Sequence, residues 1–259
     1  MFLFGEPIHS QIPQFEVLPN LKENTLPYYY PKTLFFGNGK TLMTPASFGA
    51  YGNTLFIGGG IALRQVYANV PDGAAVVGIG FGNPFKLLGV ELAAKMNDLS
   101  EQNNFSYSFK LHKYIYNGTS IAIGANHLFY DYTQTDATSS FYACISHAIQ
   151  GLPSNVPGRS RLNLNAGIGF GKYSEKSPKD IAEGKGTKGT YIFGSVAYQL
   201  FRGNSLIVEW SGINLNVGLS TRPLKRLPFF FKIGVVDLTK YSGDGPRVVI
   251  SGVCALTFK

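Results

Sequence analysis

The chain has 259 residues and a formal net charge of +8, but only 15% of its residues are charged. It is rich in glycine, phenylalanine and tyrosine and contains a single tryptophan. Globular domains are usually about a quarter charged, so this composition argues against an ordinary soluble domain. No run of about 18 apolar residues occurs, which excludes a transmembrane helix.

The basic residues are scattered along the chain, and no nucleic-acid-binding motif accompanies them. We therefore expect no nucleic-acid partner. A basic interior, or a basic rim that faces anionic lipid headgroups, accounts better for the positive charge. Cys144 and Cys254 have no CxxC partner and no histidine at metal-ligand spacing, so we expect neither a metal site nor any other cofactor.

Residues 1–47 differ from the rest of the chain, because prolines recur in them and no periodicity is sustained. Two aromatic and apolar clusters, at 28–30 and 34–36, are unusual for a free tail. We expect this segment to fold as a plug into the domain that follows, to pack beneath it, or to act as a periplasmic arm that binds an envelope protein. An unstructured tail is the alternative. Because Glu6 and Pro7 interrupt the first apolar stretch, no cleavable signal is visible, and we expect a mature or engineered chain.

From residue 48 onward, stretches in which apolar and polar residues alternate strictly recur many times, which is typical of β-strands with two different faces. In the stretch 161–170, for example, Leu, Ala, Ile and Phe alternate with Arg, Asn and Gly. The pattern predicts twelve strands, near residues 54–66, 74–83, 86–97, 104–115, 119–129, 140–149, 161–172, 189–201, 204–210, 213–222, 228–237 and 246–258.

The composition of the two strand faces distinguishes a membrane barrel from a soluble sandwich. One face carries Gly, Ala, Ser and Asn with isolated charges, which suits a closed and crowded interior. The other carries Val, Ile, Leu, Phe and Tyr, as lipid requires, since Arg or Lys at the membrane midplane costs about 2–4 kcal/mol. We therefore predict an all-β fold, a transmembrane antiparallel up-and-down β-barrel of about twelve strands, over residues 48–259.

The predicted connections alternate between tight turns, such as Tyr116-Asn117-Gly118, and longer polar loops, such as 173–188; the short connection at 211–212 is an exception. Outer-membrane barrels have short periplasmic turns and long external loops. We expect an outer membrane of the Gram-negative type, with both chain termini in the periplasm. Aromatic residues cluster near the strand ends, which predicts interfacial girdles that include Tyr67 at the outer rim and Phe48 at the inner rim.

The last predicted strand, 247–258, alternates apolar residues and has Phe258 near its end. In this strand and in its architecture the chain resembles porin-like bacterial outer-membrane β-barrel proteins, although Lys259 follows the phenylalanine. The stretches 44–60 and 211–220 are also similar to uncharacterised barrel proteins of cyanobacteria and of exopolysaccharide-secretion loci.

Two Gly-x-Gly-x-Gly runs, at 78–82 and 167–171, look like phosphate-binding loops, but no helix follows either of them. We interpret them as bare strand faces that let a side chain or a plug approach closely. Nucleophilic catalysis needs a serine and a histidine within reach, and Ser146 and His147 are adjacent, hence on opposite faces. We therefore assign no catalytic residue, although a cross-strand pair stays open.

Ionisable residues on the predicted lumen face are the candidates for setting selectivity. They are Arg64, Glu91, Lys95, Lys110, His112, Arg161, Glu209, Arg222, Lys232 and Arg247. Their basic excess favours anions if the lumen is open. Alternatively these charges pair, Glu91 with Lys95 for example, and brace a closed interior.

The function that the sequence favours is a passive or gated channel for small polar or anionic solutes, surrounded by membrane lipids. Two alternatives stay open. One is a structural or interaction barrel within an envelope assembly, and the other is a lipid-active enzyme similar to outer-membrane phospholipase.

Overall fold

A computed structural model of the chain describes residues 41–97, 105–130, 138–154, 159–222 and 229–258. Twelve strands are present: β1 Asn53–Ala62, β2 Asp72–Gly82, β3 Gly89–Met96, β4 Phe105–Tyr116, β5 Thr119–Leu128, β6 Ser140–Ala148, β7 Leu162–Gly169, β8 Ile192–Phe201, β9 Asn204–Trp210, β10 Leu215–Thr221, β11 Phe229–Val236 and β12 Arg247–Phe258. A 3₁₀ turn, Gly171–Tyr173, and a short helix α1, Pro178–Ala182, lie between β7 and β8. Within the described ranges no helix has the length and apolar character needed to cross a membrane.

Each strand pairs with its sequence neighbours in antiparallel fashion, and β12 returns to pair with β1, from Asn53↔Phe258 to Ala62↔Val249. The sheet is therefore a closed barrel with no free edge, which satisfies all of its ladder hydrogen bonds internally. This confirms the predicted all-β, twelve-strand, up-and-down barrel.

Several strands are shorter than predicted. β8 begins at Ile192 rather than 189, directly after Tyr191, whose positive φ of 63° cannot continue a strand. β1 ends at Ala62 rather than 66, and Tyr67 in the following connection has the same left-handed φ of 63°. The shorter bounds of β1, β7 and β10 leave three of the candidate selectivity residues outside the strands, as described below.

The two faces of the wall differ as the alternation predicts. Outward side chains are large, apolar and exposed; Ile57, Ile123 and Ile168 are 63%, 57% and 58% exposed. Inward side chains are mostly small or polar and buried, among them Ser106, Ser120 and Ser195. An outer surface of this kind is stable only in contact with an apolar solvent, which is the lipid environment of a membrane barrel.

The barrel has two different ends. One end, here called the loop end, carries the connections 63–71, 97–104, 129–139, 170–191, 211–214 and 237–246. The opposite end, the turn end, carries the start of β1, the end of β12 and the connections 83–88, 117–118, 149–161, 202–203 and 222–228. At the turn end Asn117 and Gly118 both have positive φ, as a two-residue hairpin requires.

Candidate functional site

The barrel lumen is occupied by the chain's own residues 41–50, which we call the lumen strap. At its first residue, the Nζ of Lys232 donates to the carbonyl oxygen of Thr41 at 2.8 Å. At its last residue, the backbone N–H of Ala50 donates to the carboxylate of Glu91 at 2.9 Å. Lys232 lies in the middle of β11 and Glu91 near the turn end of β3, so the strap descends through the lumen toward the turn end.

Glu209, on the inward face of β9, binds the first residues of the strap. Its carboxylate is fully buried and accepts the backbone N–H groups of Leu42, Met43 and Thr44 at 2.7, 2.8 and 3.2 Å. The hydroxyl of Thr44 and the side-chain amide of Asn216 add hydrogen bonds at 2.8 and 3.0 Å. Successive backbone amides that converge on one carboxylate form an anion nest, and hydrogen bonds to a charged group are the strong kind.

Polar side chains of the opposite wall hold the middle of the strap. The Ser47 hydroxyl donates to the carbonyl of Ser120 at 2.7 Å, and its N–H donates to the hydroxyl of Ser146 at 2.9 Å. Ser146 in turn donates to Asn165 at 2.8 Å, whose amide reaches the carbonyl of Pro45 at 3.0 Å. These inward serines and asparagines therefore serve as hydrogen-bond partners for the strap backbone.

At the turn end of the lumen, the strap meets a charged cluster. The Nε2 of the buried His112 lies 2.9 Å from the carbonyl oxygen of Ala50, so this nitrogen carries the proton and donates. The Nζ of Lys110 lies 3.2 Å from the Glu91 carboxylate and 3.4 Å from the carbonyl of Phe48. The ion pair of Glu91 is therefore with Lys110, its cross-strand neighbour, and not with Lys95. Four positions along one strand span about 13 Å, too far for the pairing that the sequence suggested.

The two Gly-x-Gly-x-Gly runs provide room for bulky neighbours, as predicted. A Cβ placed on Gly80 would lie 2.5 Å from both the carbonyl carbon and the Cβ of Ala50 in the strap. The bare faces of Gly78 and Gly167 accept the rings of Phe56 and Phe193 in the same way. The interpretation of these glycines as close-approach positions rather than a phosphate-binding loop is confirmed.

A cavity of about 560 Å³ remains between the strap and the wall formed by β1, β2, β3, β11 and β12. We call it the vestibule. Its lining extends to Asp72, Asn97 and Arg247, where these strands approach the loop end. The charged residues that line it are Asp72, Lys95, Lys110, Lys232 and Arg247. The vestibule is therefore basic, as the sequence predicts for the lumen.

Arg247 lies in an ion pair with Asp237, with nitrogen–oxygen distances of 2.7 and 2.8 Å. Lys110 is paired as described above, and Lys232 donates to the strap. Lys95 forms no ion pair within 4 Å with any residue that the structure describes. Of the four vestibule cations, Lys95 is thus the least engaged among the described residues.

Three predicted lumen residues lie outside the strands. Arg64 follows β1 and pairs with Asp244 at 2.6 Å in the loop-end connections. Arg161 precedes β7, where its carbonyl accepts from Gln199 at 2.8 Å. Arg222 follows β10 at the turn end. The alternation pattern therefore overestimated the strand lengths at these three ends.

A second, much smaller cavity of about 20 Å³ lies at the turn end. The guanidinium carbons of Arg159 and Arg222 stand 5.4 and 5.8 Å from the centre of the Phe230 ring, and all three residues line this cavity. Phe230 is an inward aromatic residue that the sequence did not mark, since aromatic side chains were expected to face outward. Its position between Phe229 and Phe231 on the same strand was the available signal, because alternate residues of a strand lie on opposite faces.

The side chain of Asp180 links the loop-end connections. Asp180 is the third residue of α1 and forms the capping box of this helix with Ser177. Its carboxylate accepts the hydroxyls of Tyr67, Ser242 and Ser177 at 2.6, 2.6 and 2.8 Å, and the N–H of Gly243 at 2.7 Å. Burial opposes ionisation of Asp180, but these hydrogen bonds outweigh it and hold its pKa well below the usual range. The same network raises the pKa of Tyr67 to about 12, through burial first and then the hydrogen bond to Asp180.

Two predicted girdle aromatics therefore lie elsewhere. Tyr67 belongs to the loop network rather than to the lipid interface. Phe48 is buried in the lumen against Ala148, Phe85 and Tyr114. Both departures follow from tertiary contacts that period-two alternation does not encode.

The structure does not assemble an evident hydrolytic site from its described residues. Ser146 points inward to the strap, and the outward His147 has its Nδ1 2.8 Å from the Thr119 hydroxyl. No group of three or more His, Cys, Asp or Glu residues within the described ranges is placed to hold a metal ion. Cys144 and Cys254 are both free thiols.

No family model matches the sequence, and no curated protein matches it. Solved structures similar to it are outer-membrane barrels. Outer membrane phospholipase A from Escherichia coli is 13% identical, with a TM-score of 0.42, covering 81% of this chain and 94% of that one. The KdgM porin in complex with oligogalacturonate is 12% identical, with a TM-score of 0.44 and coverages of 80% and 99%. Pseudomonas putida OprB is 9% identical, with a TM-score of 0.30 and coverages of 79% and 91%. The closed twelve-strand antiparallel barrel confirms the architecture that the predicted resemblance to bacterial outer-membrane barrels implies.

Proposed function

We propose that the protein is a gated outer-membrane channel for small anionic solutes, and that the lumen strap closes most of its cross-section in the state described. The observation that carries this proposal is the vestibule, a cavity of about 560 Å³ in which four cations and one carboxylate line the wall. A cavity of this size is in the range of small-molecule binding sites. Rings of basic side chains are the usual device for anion selectivity in a pore.

The strap is suited to a gate because polar contacts hold it. Its described hydrogen bonds include backbone N–H groups that donate to Glu209 and Ser146 and a backbone carbonyl that accepts from Asn165, and water can replace each of these partners when the strap moves. Glu209 accepts three backbone N–H groups, so it is the anchor on which the closed arrangement depends most. We place the turn end in the periplasm, by the rule that periplasmic connections are short.

Residues 1–40 of the predicted N-terminal segment lie outside the described part of the chain, and the division into a segment 1–47 and a barrel 48–259 stays a prediction. The contacts of residues 41–50 support the plug alternative over a periplasmic arm for this part of the segment.

The experiment is single-channel recording in planar bilayers under a salt gradient, with wild-type protein and the Glu209→Ala variant. We expect rare, small openings in the wild type and a larger open fraction in Glu209→Ala, because the strap loses its main acceptor. The reversal potential should indicate preference for the anion in both proteins. The matched control is Glu175→Ala, which removes an exposed loop glutamate paired with Lys188 at 3.7 Å and should leave the currents unchanged.

Two results would contradict the proposal. Absence of current in all three proteins, with folding verified by heat-modifiable migration, favours a structural or interaction barrel. A clear cation preference would show that the basic lining does not select the solute. Lipid hydrolysis by the refolded protein that is lost in His147→Ala would instead favour a lipid-active enzyme.

A further inference from the structure

The vestibule and the small turn-end cavity lie on either side of one side chain. Phe230 lines both cavities, and it is the one described residue common to their linings. It is 6% exposed and sits on the inward face of β11, two residues before Lys232. The space beside the strap is therefore interrupted at the Phe230 ring.

Cations stand on both sides of this ring. On the vestibule side are Lys232 and Arg247, and on the turn-end side are Arg159 and Arg222. Burial, and then the charge of Arg222, lower the pKa of Arg159 to about 10, so it stays protonated at neutral pH. Basic side chains thus flank the Phe230 ring on both sides, and of these Arg247 is paired with Asp237.

The turn end attracts anions as a whole. The described residues of its connections, 83–88, 117–118, 149–154, 159–161, 202–203 and 222, include no Asp or Glu. They include Lys86, Arg159, Arg161, Arg202 and Arg222. Clustered charge of one sign raises the local concentration of the opposite ion, so anions accumulate at the mouth that Arg159 and Arg222 line.

The small cavity sets the size of what passes while the ring is in place. Its volume of about 20 Å³ is close to that of one water molecule. Ser160, Ser205 and Ser220 contribute small hydroxyl side chains to its lining, and Phe230 is the one aromatic ring in that lining. Phe230 is therefore the side chain that the two cavities have in common.

We propose that small anions cross the barrel beside the strap, along the inward face of β11, and that the Phe230 ring is the gate of this path, with Arg159 and Arg222 as its selecting cations. This inference rests on the proposed channel function and names its route. An anion that reaches Arg159 and Arg222 competes with the Phe230 ring for their guanidinium groups. The negative charge of a carboxylate or halide and the aromatic face of the ring attract the same cations. Binding of the anion therefore loosens the ring in the direction that opens the path.

The test is bilayer recording of Phe230→Ala, with Phe193→Ala as the matched control. Phe193 is a fully buried inward ring that lines neither cavity. We expect Phe230→Ala to raise the anion conductance several-fold and Phe193→Ala to leave it near the wild-type level. Protection of the strap from protease added to folded protein should be the same in both variants, since the route does not require its release.

A second variant keeps the proposal testable if Phe230→Ala folds poorly. Phe230→Trp fills the same position with a larger ring and should reduce the residual wild-type current. Adding Arg159→Gln to either variant should reduce the anion preference of whatever current remains.

The outcomes separate this inference from the proposed function. Conductance in Glu209→Ala without any increase in Phe230→Ala would overturn the Phe230 gate and leave the channel function standing. An equal increase in Phe230→Ala and Phe193→Ala would also overturn it, because that points to general loosening of the interior. No current in any variant would remove both proposals together.

Discussion

Gly80 shows how closely single residues of the wall are fitted to the strap. A Cβ at this position would lie 2.5 Å from the carbonyl carbon and from the Cβ of Ala50, and backbone cannot yield as a flexible side chain does. We expect Gly80→Ala to destabilise the folded protein by about 1–3 kcal/mol, the usual cost of overpacking. Gly151→Ala, where a Cβ meets open space, is the control and should change stability by less than about 0.5 kcal/mol.

The stability of Gly80→Ala is measured by thermal unfolding in detergent micelles, monitored by circular dichroism. The same variant is also recorded in planar bilayers. Displacement of the strap predicts a lower melting temperature together with a larger open fraction. Equal melting temperatures of Gly80→Ala and Gly151→Ala would show that the strap does not rest on this glycine.

For single residues, the sequence predicts which face of a strand a side chain occupies more reliably than it predicts which residue that side chain contacts. The alternation of apolar and polar residues placed Lys110, Glu209 and Lys232 on the inward face, because side chains of a strand alternate with a period of two. It did not predict that Glu209 binds the strap backbone, because main-chain N–H and C=O groups are the same in every sequence. The pairing of Glu91 with Lys110 depends on the register between β3 and β4, which the sequence of either strand alone does not fix.

Among the elements, the connection between β7 and β8 is the one whose structure departs most from its sequence pattern. A polar loop was predicted, and the structure adds α1, which begins with a capping box between Ser177 and Asp180 and a proline at its first turn. The signal Ser-Pro-Lys-Asp was present in the sequence. A five-residue helix is too short to show helical periodicity, so the alternation pattern did not predict it.

Asp180 makes the loop-end network dependent on pH. Its pKa in the folded protein is lowered, so its contribution to stability is complete above the ordinary carboxyl pKa of about 3.9. The contribution is lost as the pH falls below about 4 toward the folded-state pKa. Asp244, whose pKa the hydrogen bond from Arg64 lowers to about 2, acts in the same direction.

We expect hydrogen exchange in residues 170–191, corrected for its intrinsic pH dependence, to show less protection at pH 3 than at pH 6. Asp180→Asn should be weakly protected at both values, because an amide cannot accept from four donors as the carboxylate does. Glu175→Gln, in the same connection, is the control and should keep the wild-type pH dependence. The same pH dependence in Asp180→Asn and the wild type would show that another group ties the loops.

For the whole molecule, local alternation was sufficient to predict the barrel because each lipid-facing strand repeats the same two-residue code. The content of the lumen was not predictable to the same degree. Residues 41–50 lack a period, and their place is fixed by long-range contacts such as those of Thr44 with Glu209 and Ser47 with Ser146. The choice between an open and a plugged lumen therefore needed the tertiary structure.

The central claim is that the outward face of every strand lies in hydrocarbon, and nitroxide accessibility tests it most directly. Single cysteines would replace Ile57, Val77, Ile123 and Leu164, in a background with Cys144→Ala and Cys254→Ala, and carry spin labels in protein reconstituted into liposomes. In the middle of a membrane wall, each label should relax faster with dissolved oxygen than with a water-soluble nickel complex. Faster relaxation with the nickel complex at these positions would mean that the apolar face meets water, and would contradict the membrane barrel and both channel proposals.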